Sequence, residues 1–80
     1  MSLDPDSNAK EVYVRLLNEG TVVYRPVLAV LLSGDAARLV MPRDYDPEGE
    51  EWEFPPGSVV RTESRVLEGN RVLVAVAFAG

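Results

Sequence analysis

Apolar and polar residues alternate along most of this chain with a period close to two, the spacing that sends every second side chain of an extended strand to the same face. In "EVYVRLL" Val12, Val14 and Leu16 share one face and Tyr13 and Arg15 the other, which predicts a half-buried strand. Asn18-Glu19-Gly20 then supplies a turn. The next run, "TVVYRPVLAVLL", is β-branched and aromatic up to Pro26 and continuously apolar from Val27 to Leu32, a pattern open to a buried strand or a short helix. So short an apolar stretch is marginal as a helix, and Pro26 has no amide proton for a central ladder. A bent strand is expected, with Pro26 at a bulge or an edge.

Ser33-Gly34-Asp35 reads as a compact turn into "AARLVMP", a short strand stopped by Pro42, so this pair predicts an antiparallel hairpin. "RDYDPEGEE" is polar and broken by Pro47 and Gly49, hence a surface loop. Beyond it Trp52 and Phe54 fall on one face of a short strand, with Glu51 and Glu53 on the other, and Pro55-Pro56-Gly57 ends that strand in a turn. "SVVRTESRVL" alternates Arg61, Glu63 and Arg65 outward against Val60, Thr62, Ser64 and Val66, and Glu68-Gly69-Asn70 reverses the chain. The final "RVLVAVAF" is apolar on both faces. Left unpaired it would be an adhesive edge, so it is expected to pair with the first strand, closing a barrel, or with another subunit.

Five or six short antiparallel strands, one long polar loop and no convincing helix predict an all-β domain, either a small sandwich or a small closed barrel of the SH3-like kind. The barrel is the preferred expectation because closure disposes of both edges. The 80 residues make one domain with a modest core, since folding at this size buries roughly 60 to 65% of the unfolded chain's surface. Residues 1–10 are expected to form a flexible leader and residues 11–80 the barrel domain.

Composition narrows the chemistry. The chain has no cysteine and no histidine, which removes disulfides, thiolate metal sites, thiol nucleophiles and the commonest general base. Carboxylates and Lys10 alone would remain for catalysis, so an enzyme is not expected, nor any cofactor. With 13 acidic and 8 basic residues the net charge is −5, which argues against nucleic acid or an anionic membrane as partner. No apolar run approaches the length of a membrane span and no signal-peptide pattern opens the chain, which leads to a cytoplasmic expectation.

The segments "VYVRLLNEGTVVYRPVLAV" and "EEWEFPPGSVVR" resemble a group of small bacterial proteins that share a Tyr-Val-Arg-Leu-Leu start, an aromatic-Arg-Pro-Val step and a Trp-Glu-Phe-x-Pro-Gly turn. That resemblance spans Glu11 to Arg65 and implies no particular activity. "EGTVVYRPVLAVLLSGDAARLVMPRDYD" is also similar to the centre of Tudor-type SH3-like barrels, with Tyr24-Arg25-Pro26 where that family favours aromatic-Arg-Ala, and Pro47 following Asp44-Tyr45-Asp46 in place of a glycine.

Two constellations carry potential chemistry. Asp44, Asp46, Glu48, Glu50, Glu51 and Glu53 form an acidic stretch. Its opening is like that of an EF-hand loop, but Pro55 stands where a bidentate glutamate is required, leaving a solvated loop, a weak divalent-cation site or a patch for a basic partner. Tyr13, Tyr24, Tyr45, Trp52 and Phe54 are the aromatic set; if Tyr24, Tyr45 and Trp52 converged beside the acids, they would hold a cationic side chain, whereas the ordinary alternative makes Trp52 and Phe54 core. The favoured expectation is a non-catalytic protein-binding module that uses Tyr24, Asp44, Tyr45, Asp46, Glu51, Trp52 and Glu53 to engage a basic or arginine-rich segment. The alternatives are an oligomeric adaptor assembling through its terminal strands and a weak cation binder.

Overall fold

A computed structural model describes residues 9–79, so most of the expected leader lies outside the described residues. Six strands follow in order: β1 (Ala9–Leu17), β2 (Val23–Leu31), β3 (Ala36–Leu39), β4 (Glu51–Trp52), β5 (Val59–Leu67) and β6 (Asn70–Phe78). Among the described residues there is no helix, and hence none long and apolar enough to cross a membrane. β1 begins at Ala9, which brings Lys10, expected in the leader, into the strand opposite Ala29.

The strands close into a ring, though not into a regular barrel. β1 pairs with β2, β2 with β3, β3 with β5, β5 with β6, and β6 returns to β1, while β4 lies along the end of β1. The expected contact between the last strand and the first therefore forms, but it is parallel and spans only Val12 opposite Leu73 and Tyr13 opposite Val74. All the other pairings are antiparallel. The core is thin: Val12 and Val14 of β1, Val27 and Ala29 of β2, Ala37 and Leu39 of β3, Val60 of β5 and Ala75 of β6 meet in it, with Trp52 and Phe54 joining from the loop side. Each comes from the inward parity of its strand; the period-two reading places Val12, Val14 and Val60 there, whereas β2 and β6, apolar on both faces, leave their inward residues open.

Pro26 sits within an unbroken register, Tyr13 opposite Pro26. Val40 donates to the Leu28 carbonyl at 2.9 Å, so the even-numbered residues of β2 turn their backbone groups away from β1. At Pro26, two residues earlier, β3 has already left the sheet, and the missing amide proton faces a free edge.

The bulge of the ring is elsewhere. Arg61 lies opposite Ala77 and Thr62 opposite Ala75, so Val76 is an extra residue in β6. This insertion reverses the strand's facing: Leu73 and Ala75 turn to the core before it, and after it Phe78, opposite the buried Val60, lies on the core's side at the rim while staying 61% exposed. Phe78 thereby meets Phe54 edge to face, with ring centroids 4.8 Å apart and planes at 80°. At the same level Thr62 is the one buried polar side chain of the described core, and its hydroxyl and amide both donate to the Asp35 carbonyl, at 3.0 and 2.8 Å. Past Thr62 the outer edge of β5 has no partner strand among the described residues, and the β5–β6 hairpin runs on as an arm in which Ser64, Arg65 and Val66 are exposed.

Two turns show why particular residues stand where they do. Pro55 to Ser58 closes with the Ser58 amide donating to the Pro55 carbonyl at 3.1 Å, and Gly57 holds φ +88° at the position where a type II turn demands it. The arm's tip is a two-residue turn in which Glu68 and Gly69 both have positive φ, 52° and 83°, the type I′ pattern that matches strand twist. Glu68 is the strained member, since a glutamate cannot relieve the left-handed conformation as Asn does. Replacing Glu68 by Asn is expected to raise stability by roughly 1 kcal/mol, and Gly69→Ala to lower it by a similar amount, both read from urea unfolding.

Candidate functional site

The site begins with a parity problem. On β2 the inward positions are Arg25, Val27 and Ala29, so an arginine stands in line with core residues. The loop after β3 folds back to meet it. Arg25 Nη1 donates to Glu50 Oε1 and Nη2 donates to Asp44 Oδ1 at 2.9 Å. Glu50 Oε1 also accepts from the Trp52 indole Nε1–H at 2.8 Å, and the guanidinium carbon lies 5.7 Å from the centre of the Trp52 ring. Tyr45 then meets the same ring edge to face at 5.2 Å. Burial opposes the charge on Arg25, but the hydrogen bonds to Asp44 and Glu50 and their negative charges outweigh that penalty, so the guanidinium is held above its ordinary value.

The seven residues expected to bind a partner are therefore not one surface. Trp52 is 3% exposed and belongs to the core, so the pocket centred on it is already filled by the chain's own Arg25. Tyr24, next to Arg25, points to the opposite side of β2, beside Arg15 across the β1–β2 ladder, and the expected convergence of Tyr24, Tyr45 and Trp52 does not occur. Adjacent strand residues face opposite ways, which is the reason. Asp44 is tied to Arg25. Asp46 shapes its own loop, its Oδ1 accepting from the Glu48 amide at 3.0 Å and its carbonyl from the Gly49 and Glu50 amides, both at 3.0 Å. A side chain on Gly49 would strike the Asp46 carboxylate at 2.9 Å, so the turn is tight as well as acidic.

Glu51 and Glu53 lie together, on the face of β4 opposite Trp52 and its neighbour Tyr45. Tyr45 is half-buried against the core, and Glu51 and Glu53 alternate outward around buried Trp52. Glu51 accepts from the Asn18 side-chain amide, and the Glu53 amide donates to the Arg15 carbonyl at 2.8 Å, which fixes this edge to β1. Arg25, Glu50 and Asn18 were missing from the expected set; the inward parity of Arg25 was the available signal. Among the described residues no group of three or more acidic side chains is arranged to hold a metal ion.

On the other side of the ring two adjoining cavities open where the β5–β6 arm approaches the outward face of β1 and β2. The larger, about 420 Å³, is lined by Tyr13, Val22, Val23, Tyr24, Leu67 and Glu68. The smaller, about 180 Å³, lies among Arg15, Tyr24, Glu53, Arg65 and residues 74–76 of β6. Val74 is buried there although it points away from the core, because it lies beside Tyr13 at the parallel contact. Arg65 Nη2 also donates to Glu63 at 2.6 Å; this hydrogen bond and the charge of Arg65, aided by Arg61, hold the Glu63 carboxyl below its ordinary range.

Comparison of the chain with family models, with curated proteins and with solved structures gives no match. Functional inference therefore rests on the geometry above.

The Arg25 cluster makes a graded prediction. Arg25 and Glu50 side chains are only 22% and 25% exposed, so Arg25→Met, which strands the Glu50 carboxylate, is expected to cost about 1 to 3 kcal/mol in urea unfolding. Asp44 is 80% exposed, and Asp44→Asn should cost no more than about 0.5 kcal/mol. Equal losses from the two variants would contradict the assignment of Glu50 as the main counterion.

Proposed function

We propose that this chain is a small non-catalytic protein-binding module that engages a basic, arginine-rich segment along its acidic loop and β4. One observation carries the reading: after Asp44 and Glu50 are committed to Arg25, the carboxylates of Glu48, Glu51 and Glu53 still face solvent with no ion-pair partner among the described residues. They stand on a fastened platform, because the loop is clamped through Arg25 and Trp52 and the β4 edge through Asn18 and the Arg15 carbonyl. A preordered acidic edge costs little ordering entropy when an extended basic segment lies along it, and arginine's planar fork suits such carboxylates. Tyr45 supplies the aromatic surface at the rim. The ring of short strands serves in this reading as an SH3-like scaffold, and the absence of histidine and cysteine supports a binding role over a catalytic one.

The test is titration with a short peptide of alternating arginine and glycine, followed by amide chemical shifts at low and high salt. Shifts should centre on residues 45–53 and weaken with salt. The triple variant Glu48→Gln, Glu51→Gln, Glu53→Gln should bind about tenfold or more weakly with an unchanged melting temperature, since three exposed ion pairs are lost. Unchanged affinity in that variant, or shifts confined to another face, would reject the reading.

A second reading, self-assembly, is favoured by the free outer edge of β5 beyond Thr62, where Val66 is 58% exposed. It predicts a dimer by light scattering that a Val66→Lys substitution returns to monomer. A monomer at all concentrations removes it.

A further inference from the structure

The cleft on the outward side of β2 differs from the acidic edge in most of its lining, although Glu53 borders both. Its larger part is walled by the hydrocarbon of Val22, Val23 and Leu67 and by the rings of Tyr13 and Tyr24. Tyr24 lines both cavities, so they adjoin at its ring. Their volumes suit a small organic molecule. At the smaller end two arginines, Arg15 and Arg65, border the same space as a single acid, Glu53. Arg15 has no ion-pair partner among the described residues, and Arg65 shares its charge with Glu63 alone. The opposite end carries Glu68.

The lining of the smaller end thus carries two guanidiniums to one carboxylate, Arg65 being shared with Glu63, whereas the larger end carries Glu68 alone. We propose that this cleft binds a small organic acid with an apolar or aromatic body, its carboxylate between Arg15 and Arg65 and its body along Tyr24 and Tyr13. The direction follows from charge: reversed, the carboxylate would face Glu68. Guanidinium groups pair with a carboxylate through charge-assisted hydrogen bonds, and the tyrosine rings give the body a flat apolar bed. Glu53 borders this cleft as well as the proposed acidic edge, but the carboxylate site uses Arg15 and Arg65, which that edge does not.

The experiment is a chemical-shift titration of the whole chain with 4-phenylbutanoate, 4-phenylbutanol, 4-phenylbutylamine and a tripeptide ending in a phenylalanine carboxylate. Saturable shifts at Tyr13, Tyr24 and Val74 with the acid, weak or absent with the alcohol and the amine, support the proposal. Arg15→Gln and Tyr24→Ala should each weaken the acid about tenfold. Arg15 is exposed, so its variant should melt as the parent does, and Tyr24→Ala is read only if its spectrum shows the parent fold. An equal response to alcohol and acid, no saturable response to the acid, or affinity unchanged in Arg15→Gln overturns the assignment. A response to the peptide carboxylate without one to the free acid also overturns it, in favour of a chain terminus as occupant.

Discussion

A guanidinium at an inward position of a strand must be neutralised before a sheet can close over it, because burying an unpaired charge costs more than this thin core can supply. Arg25 imposes that constraint here. Its answer is the loop between β3 and β4, which brings Glu50 and Asp44 to the guanidinium and places the Trp52 ring against it. Glu50 serves two donors at once, Arg25 and the Trp52 indole, so the charge pair and the largest core side chain are joined through one carboxylate. The short β4 pairing with β1 then follows, and with it the position of Phe54 beneath the ring.

The same arrangement divides the surface. Carboxylates that satisfy Arg25 are spent internally, and those at alternate positions, Glu51 and Glu53, are turned outward by the parity that buries Trp52 and Phe54. On β2 the division repeats: Arg25 faces the loop and Tyr24 faces the outward cleft. Glu53 lies beside Arg15 and faces the same side as Tyr24, so the outward carboxylates adjoin the arginine-bordered cleft, while Asp44 and Glu50 meet Arg25 on the other side. Closure through the two-residue parallel contact of β1 with β6 leaves the β5–β6 arm free to form the cleft's outer wall.

Much of this was legible from residue order. The faces of β1, the outward Arg61-Glu63-Arg65 series, the shared face of Trp52 and Phe54, and the Pro56-Gly57 and Glu68-Gly69 turns all follow from local period and turn chemistry, whereas the favoured reading puts Trp52 on a binding surface and the structure buries it. What escaped depends on distant partners. The parallel sense of the β1–β6 contact and the extra residue at Val76 are set by how the ring closes, and no local pattern announces them. The aromatic grouping failed for a different reason: Tyr24 was joined to Tyr45 and Trp52 by composition, although its parity put it opposite Arg25. Arg25 itself, not a partner's arginine, is the cation that the acidic and aromatic residues hold.

The most direct test of this account is hydrogen exchange of the Trp52 indole proton. If Glu50 holds that proton while Arg25 covers the ring, it should exchange as slowly as the paired backbone amides of β1 and β2, and exchange should accelerate sharply in Arg25→Met. An indole proton that exchanges as fast as an exposed tryptophan's in the parent chain would contradict the clamp, and with it the origin of both surfaces.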